Sequence, residues 1–383
     1  MFFSSVTLRV DVTAIAANYR LLHGLGGNAC SVACPVIKAD AYGHGLERTA
    51  LALHEQGAGI MAVGNVEEAV RLRATPGLPE SVRIIVLLGP QDVDEVQAVW
   101  RHKFLPFVYR FDQLRMLQDS AAPGATKPLP IACKFDTGMA RLGFVESELD
   151  ALFDVLAKTP ALRPEFVVSH LAAADEPQNR EFTLEQGRRF EGVVQRFRRG
   201  FPEAKACLAN SAGLMAYPEL RWDMQRPGLA LYGANPFAGT EWEDKGHGLT
   251  PAMQAWAPIV QVHELRRGTP ISYGATYTAD EDKTVAIVAA GYSDFYSRHL
   301  SSRDGRGAAM LIHGRRAPVL GRVCMQLTAV DVTRIPEARA GDEAWLLGGG
   351  GAEAIRPEEL ARWQGSIPYD VFTSLGRNTR VYS

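Results

Sequence analysis

Lys38 closes the apolar run PVIK in the segment PVIKADAYGHG (35–45), and a tyrosine, Tyr42, follows four residues later. A lysine behind three residues suited to burial loses part of the hydration of its ammonium. Its pKa then falls, and the amine becomes a nucleophile fit for Schiff-base chemistry. The plain alternative is a solvated surface lysine. Lys134 in PIACKF, His170 ending FVVSH, and Asn210–Ser211 just past KACLA lie in comparable places, at or beyond the ends of apolar runs. Taken singly, His170 reads as readily as a satisfied structural histidine, and Asn210 and Ser211 as a helix cap.

Those runs belong to a repeated pattern. From about Cys34 to Gly233 a short apolar run, a polar turn and a stretch with helical spacing recur, with strands expected at PVIK, GIMAV, RIIVLL, LPFVY, PIACKF, FVVSH, KACLA and RPGLALYG. Helical spacing is clear at 92–100, where Val93, Val96, Val99 and Trp100 share a face, and at 146–158, where Leu149, Leu152, Phe153 and Leu156 do. A run of eight βα units is the count of a (β/α)8 TIM-type barrel, although a doubly wound sheet reads much the same strand by strand. The polar residues at the ends of several different strands favour the barrel, because that face is where barrel enzymes keep their chemistry. After a polar, turn-rich link at 238–250 the grammar changes to β runs with short turns, and only 357–364 looks helical. The expected division is a barrel over 1–241 and a mainly antiparallel β domain over 242–383. The glycine run Gly348–Gly351 lacks the context of a nucleotide-binding loop and reads as a turn.

Composition narrows the classes further. The chain has 383 residues, 46% hydrophobic and 22% charged, with a net charge of −2, so it can fill a core and presents no general basic surface for nucleic acid or anionic lipid. The opening MFFSSVTLRVDV has no basic n-region, and the uncharged candidate span near 246–263 holds two prolines and two glutamines. Neither a signal peptide nor a membrane span is expected. Five scattered cysteines (Cys30, Cys34, Cys133, Cys207, Cys324) with no CxxC pair argue against a disulfide framework or a zinc site. No metal is expected, and a reducing cytoplasm fits best.

The string VIKADAYGHG resembles the pyridoxal-phosphate lysine motif of alanine racemases. Further motifs arrive in that family's order: KFDTGMARLG (134–143), SHLAAADEP (169–177), LANSAG (208–213), QRPGLALYG (225–233) and SYGATY (272–277), then GRVCMQ (321–326) and IPYDV (367–371). The resemblance spans essentially the whole chain, including the change from barrel to β domain. It implies an isomerase that interconverts L- and D-alanine and supplies D-alanine for peptidoglycan.

By the same resemblance, Lys38 holds pyridoxal 5'-phosphate as an aldimine and, once released by substrate, serves one face of the α-carbon, with Tyr273 as the base on the other. A phenol with pKa ~10 needs nearby positive charge or hydrogen bonding to work at neutral pH. His170 is similar to the family's neighbour of that tyrosine and joins Arg226, which faces the pyridine nitrogen. A guanidinium only donates, so that nitrogen stays unprotonated. Tyr42, Ser211, the backbone around Gly228 and Leu229, and Tyr369 correspond to the phosphate cradle, with Asn210 beside it. Arg141 resembles the arginine that reaches the cofactor's phenolic oxygen and the substrate carboxylate, and Lys134 a lysine that is carbamylated in many members. Tyr273, Tyr292 and Met325 resemble residues inserted into a partner subunit's barrel mouth, which implies a homodimer with shared sites.

The chain departs from the family pattern at Ala140, where glycine is frequent in DTGMGR; at Phe295, where GYADG is common; and at Gln326, where an aspartate is usual. The last two bear on specificity and keep a broader amino-acid racemase, acting on serine for example, as an alternative. A non-catalytic pyridoxal phosphate carrier would lack the domain holding Tyr273. Decarboxylases of similar plan lack the SYGATY tyrosine and generally set a carboxylate, not Arg226, against the ring nitrogen.

Overall fold

The computed structural model describes residues 4–26, 32–121 and 127–383; Cys30 lies outside them. The chain divides into two compact units, one of Ile15–Ala41 and Leu46–Leu249, the other of the chain up to Ala14 with Tyr42–Gly45 and Thr250–Ser383.

In the first unit, runs such as Ile60–Val63 and Leu105–Val108 are buried at every position, as parallel strands covered on both faces must be. Eight parallel strands pair in sequence, in the order Val32–Ala33, Met224–Gln225, Lys205–Cys207, Leu162–Val168, Leu129–Lys134, Leu105–Val108, Arg83–Val86, Ile60–Val63. A parallel bridge from Val36 to Ala62 joins the two ends and closes the barrel. Helices follow the strands with ordinary capping chemistry. Asn65 caps Val66–Arg73 and Asp92 caps Val93–His102, each accepting from a backbone N–H three residues on. Helix Arg180–Gly200 lays Phe190, Val193, Val194 and Phe197 against the barrel.

Two strand expectations need correction. The run PVIK contributes only the Val36 bridge, and its strand lies earlier, at Val32–Ala33. The run RPGLALYG is not a strand. The strand is Met224–Gln225, and Leu229–Tyr232 forms a buried 3-10 turn. Pro35 and Pro227 explain both shifts, since neither can donate to a ladder. The segment 146–158 also divides, into a 3-10 turn Glu146–Glu148 and a helix Leu149–Ala157.

The second unit is built on the long strand Met253–Leu265, which pairs antiparallel with Thr7–Val10, Lys283–Val288 and Glu343–Leu347. Ala309–Ile312, Arg315–Pro318 and Thr328–Asp331 extend the sheet in antiparallel fashion. Thr379–Tyr382 runs parallel to Thr7–Val10. The sheet therefore draws in the strand at residues 7–10, where the sequence-based division at 241/242 places that strand in the barrel. Among the described residues two helices lie wholly within this unit, Pro357–Trp363 and Pro368–Leu375; the expectation that only 357–364 is helical misses the second, a short run whose apolar content does not distinguish helix from strand. Gly348–Gly351 make a turn in which all four residues have positive φ.

Candidate active site

In the barrel unit, Lys38 follows the Val36 bridge and stands at the C-terminal end of the barrel. The residues after it run left-handed: Ala39, Asp40, Ala41 and Tyr42 have φ of 53°, 55°, 55° and 52°. Although Lys38 reaches solvent, the protein packed around its amine lowers its pKa; Arg141 adds to the shift, Glu68 opposes it and Arg226 adds again.

Arg226, 4% exposed, is the most fully tied residue of the cluster. Its Nη2 donates to the Ser169 carbonyl at 2.7 Å and to His170 Nδ1 at 3.1 Å, and its Nη1 to Cys207 Sγ at 2.7 Å. Because a guanidinium only donates, His170 Nδ1 must accept, which puts the ring hydrogen on Nε2. Burial, then the charges of Arg226, Lys134 and Arg141, hold the His170 pKa well below the ordinary histidine value, so the ring is neutral.

Lys134 ends the strand Leu129–Lys134 and is buried. Burial, reinforced by Arg226 and Arg141, lowers its pKa from 10.5 to about 8. Arg141 lies on the loop after this strand, shaped by Asp136, whose Oδ1 accepts from the backbone N–H groups of Gly138, Met139 and Ala140 at 2.8, 3.0 and 3.1 Å. Burial alone would raise the Asp136 pKa, but those donors and Lys134 outweigh it and hold it below the ordinary value. Ala140 sits at φ 54°, so the frequent family glycine falls on a left-handed position that alanine occupies here under strain.

Ser211 and Gly228 also meet. The buried Ser211 Oγ accepts from the N–H groups of Gly228 at 2.9 Å and Ala230 at 3.2 Å, leaving its own hydrogen to be donated elsewhere. Leu229 opens the 3-10 turn after Gly228. Asn210 caps helix Ser211–Ala216, its Oδ1 accepting from Gly213 N–H at 3.0 Å.

The β unit holds the other expected residues. Tyr273 starts a 3-10 turn, Tyr273–Ala275, and is 70% exposed. Ser272 and Ala275 beside it have φ of 66° and 47°, and Ser272 Oγ donates to the Arg322 carbonyl at 2.6 Å. Tyr292 N–H donates to the Cys324 carbonyl at 3.1 Å and Ser293 N–H to the Met325 carbonyl at 2.9 Å, tying the Tyr292 and Met325 loops together. Gly291 is required there, since a Cβ would meet those two carbonyl oxygens at 2.3 and 2.4 Å. Tyr42 and Tyr369 pair with ring centroids 5.7 Å apart, and burial followed by Tyr369 raises the Tyr42 pKa. Phe295 has φ 63°, a second frequent family glycine position in the left-handed region, and its ring carries the Arg377 guanidinium 5.4 Å from its centroid. Gln326, Met325 and Phe295 line one cavity of about 190 Å³.

The chain matches the descriptions "Alanine racemase, N-terminal domain" over residues 10–236 and "Alanine racemase, C-terminal domain" over 252–382. It belongs to the alanine racemase family. An alanine racemase from Nitratidesulfovibrio vulgaris (strain DSM 19637 / Miyazaki F) is 50% identical over 380 residues, 99% of this chain and 98% of that protein. The biosynthetic alanine racemase of Pseudomonas aeruginosa superposes with a TM-score of 0.87 at 33% identity, covering 100% of both chains. The Bartonella henselae alanine racemase with covalently bound pyridoxal phosphate does so with 0.85 at 27% identity, again over 100% of both.

Sequence reasoning missed Glu68, Cys207 and Ser169. Glu68 had a signal in Asn65-x-x-Glu68, the spacing of a capping box. Its carboxylate goes instead to the N–H groups of Ala39 at 2.6 Å and Gly64 at 2.7 Å.

Proposed function

We propose that this chain is a pyridoxal-phosphate-dependent alanine racemase with two bases, Lys38 and Tyr273. The observation that carries the reading is Arg226, a donor-only group anchored on Ser169, His170 and Cys207, whose charge is felt at Lys38. The residues fit the cofactor: Lys38 supplies an amine of lowered pKa, Arg226 a donor for a ring nitrogen, and the Ser211 hydroxyl with the Leu229 N–H a pair of anion donors, the Gly228 N–H being engaged by Ser211 Oγ. Tyr42 and Tyr369, paired with each other in the β unit, are the hydroxyls that the family resemblance assigns to phosphate. When bound, the cofactor supplies an electron sink for the α-carbon.

Arg226, a donor-only group, would hold the cofactor's ring nitrogen as an acceptor and so would temper that sink. Lys38 Nζ removes or returns a proton on one face, and the Tyr273 hydroxyl does so on the other. His170, neutral and oriented by Arg226, presents Nε2–H as a donor to the Tyr273 oxygen. Arg141 orients the substrate carboxylate. Lys134, with some amine neutral near pH 8, is open to carbamylation, and the resulting negative charge would orient Arg141.

Tyr273 acts in the site of a partner subunit, with Tyr292 and Met325 beside it. The exposure of all three, 70%, 42% and 57%, supports their being covered by a second copy of this chain in a homodimer. Among the described residues no helix is long and apolar enough to cross a membrane. The enzyme works in the cytoplasm and its D-alanine serves peptidoglycan. Gln326 and Phe295 favour a second, broader reading in which serine is also turned over, because Gln326 offers both a donor and an acceptor beside Met325.

The deciding experiment is incubation of the purified, cofactor-loaded protein with single L-amino acids and chiral chromatography of the products. D-alanine is the expected product. Conversion of no amino acid would overturn the reading.

A further inference from the structure

Four consecutive non-glycine residues in the left-handed region bring each Cβ close to backbone oxygen, so something must hold the turn Ala39–Tyr42 in place. The holding groups come from one helix, Val66–Arg73. Glu68 spends both carboxylate oxygens on backbone donors: Oε1 accepts from Ala39 N–H at 2.6 Å, and Oε2 from Gly64 N–H at 2.7 Å, which is the residue after the strand Ile60–Val63. One turn further along the helix, Arg71 Nη2 lies 3.0 Å from Asp40 Oδ1, and that same oxygen accepts from Leu46 N–H at 3.0 Å. Arg71 is itself steadied by Glu47, through Nε at 2.5 Å and Nη2 at 2.8 Å. The left-handed turn is thus gripped at its first residue by Glu68 and at its second by Arg71, directly after the lysine. Gly64 belongs to the same arrangement, since a Cβ there would lie 3.5 Å from Lys38 Cβ and 3.1 Å from Glu68 Oε2.

We propose that Glu68 and Arg71 are positioning residues for Lys38: they clamp the strained turn after it and so fix the direction in which its amine is presented. The inference rests on the reading of Lys38 as the cofactor lysine. Glu68 is suited to the task because a carboxylate has two acceptors and no donor, whereas a glutamine of equal length must set an NH2 group against one of the two N–H groups it faces.

The test uses the purified apoprotein and pyridoxal 5'-phosphate. Borohydride reduction and peptide mapping of the wild type come first. A label elsewhere than Lys38 would overturn the functional reading, whereas label on Lys38 leaves that reading standing and lets the variants test the clamp alone. Glu68→Gln should then bind the cofactor at least about tenfold more weakly, the effect of one lost charged hydrogen bond. The midpoint pH for acylation of the Lys38 amine in the apoprotein should also fall, because Glu68 is the charge that opposes the lowering of its pKa. Adding Ala39→Gly, which removes the Cβ penalty of the left-handed conformation, should recover part of the lost affinity. A purely structural role for Glu68 in its own helix would give no such rescue. Arg71→Gln should weaken binding less, by about threefold, as fits a solvent-exposed pair, and it decides the matter through the same readouts if Glu68→Gln does not fold. Affinity within twofold of wild type with an unchanged midpoint in the folded variants, or no rescue by Ala39→Gly, would overturn the proposal.

Discussion

Lys38 and Tyr273, the two proposed bases, both stand beside left-handed backbone, yet the two turns are held in different ways. Ala39–Tyr42 is gripped by a carboxylate with both oxygens engaged and by an ion pair, and the amine before it lies within reach of the charges of Arg141, Arg226 and Glu68. The Tyr273 turn has the Ser272 hydroxyl on the Arg322 carbonyl and a 3.4 Å approach to Cys324 Sγ, and its tyrosine is 70% exposed. One base is oriented by its own unit; the other is displayed. A displayed base acquires a fixed direction only when a second surface covers it, which is why the reading needs a partner subunit for Tyr273 and none for Lys38.

The largest effect comes from removing the bases themselves. Tyr273→Phe should lower racemisation at least ~10²-fold in both directions while leaving the cofactor absorbance in place, since a general acid–base group contributes ~10²–10⁴. Lys38→Ala should lose both activity and the covalent link. Mixing the two inactive proteins should restore activity in hybrid dimers, where one site of two has both bases. Tyr273→Phe keeping more than a tenth of wild-type rate would remove the tyrosine from the mechanism. Hybrids confirmed by mass spectrometry yet inactive would end the idea of a shared site.

A middling effect concerns Lys134, on the oriented side of the comparison. With its pKa lowered to about 8 in the fold from 10.5, its charge costs the native state fully below pH 8. Between about pH 8 and 10.5 the folded chain has released a proton that the unfolded chain keeps, so stability rises with pH through that window. Urea denaturation of the apoprotein in carbonate-free buffers at pH 7.5 and 9.5 should show this rise in the wild type and a smaller one in Lys134→Met. Equal slopes would mean that the lysine is not desolvated as described.

The smallest effect tests strain without a clamp. Ala140 is left-handed, and the backbone donors around it converge on Asp136 rather than being gripped from a neighbouring helix. Ala140→Gly should therefore raise thermal stability slightly, by at most about 1 kcal/mol, because the relief of strain is partly offset by the greater freedom of glycine when unfolded. A loss of more than that in calorimetry would show that the alanine methyl packs to advantage.

Much of the barrel was legible because its strands are continuous apolar runs and its helices have the 3.6 period, so GIMAV, LPFVY and PIACKF map onto Ile60–Val63, Leu105–Val108 and Leu129–Lys134. The misplacements fell where proline interrupts an apolar run, at Pro35 and Pro227, since apolar content records burial and not ladder donors. The strand at residues 7–10 was misassigned because its antiparallel partner, at residues 253–256, is remote in sequence. In the site, Lys38 and His170 stood out by residue type and place and Arg226 only through the family resemblance, and their mutual contacts were not legible. The left-handed turn was invisible. Gly348–Gly351 advertises positive φ by composition, whereas Ala39–Tyr42 has only Asp40 among the residues that favour it and owes its conformation to side chains some thirty residues away.

The strand Thr7–Val10 has a further consequence, for synthesis rather than catalysis. Its antiparallel partner begins at Met253 and its parallel partner at Thr379, so an emerging chain carries Leu8 and Val10, both buried in the finished sheet, without either neighbour. At ~5–20 residues per second the second neighbour leaves the ribosome roughly 20–75 seconds after the first strand. The β sheet is therefore among the last parts of the protein to close, and a nascent chain must be kept from using that edge to pair with another.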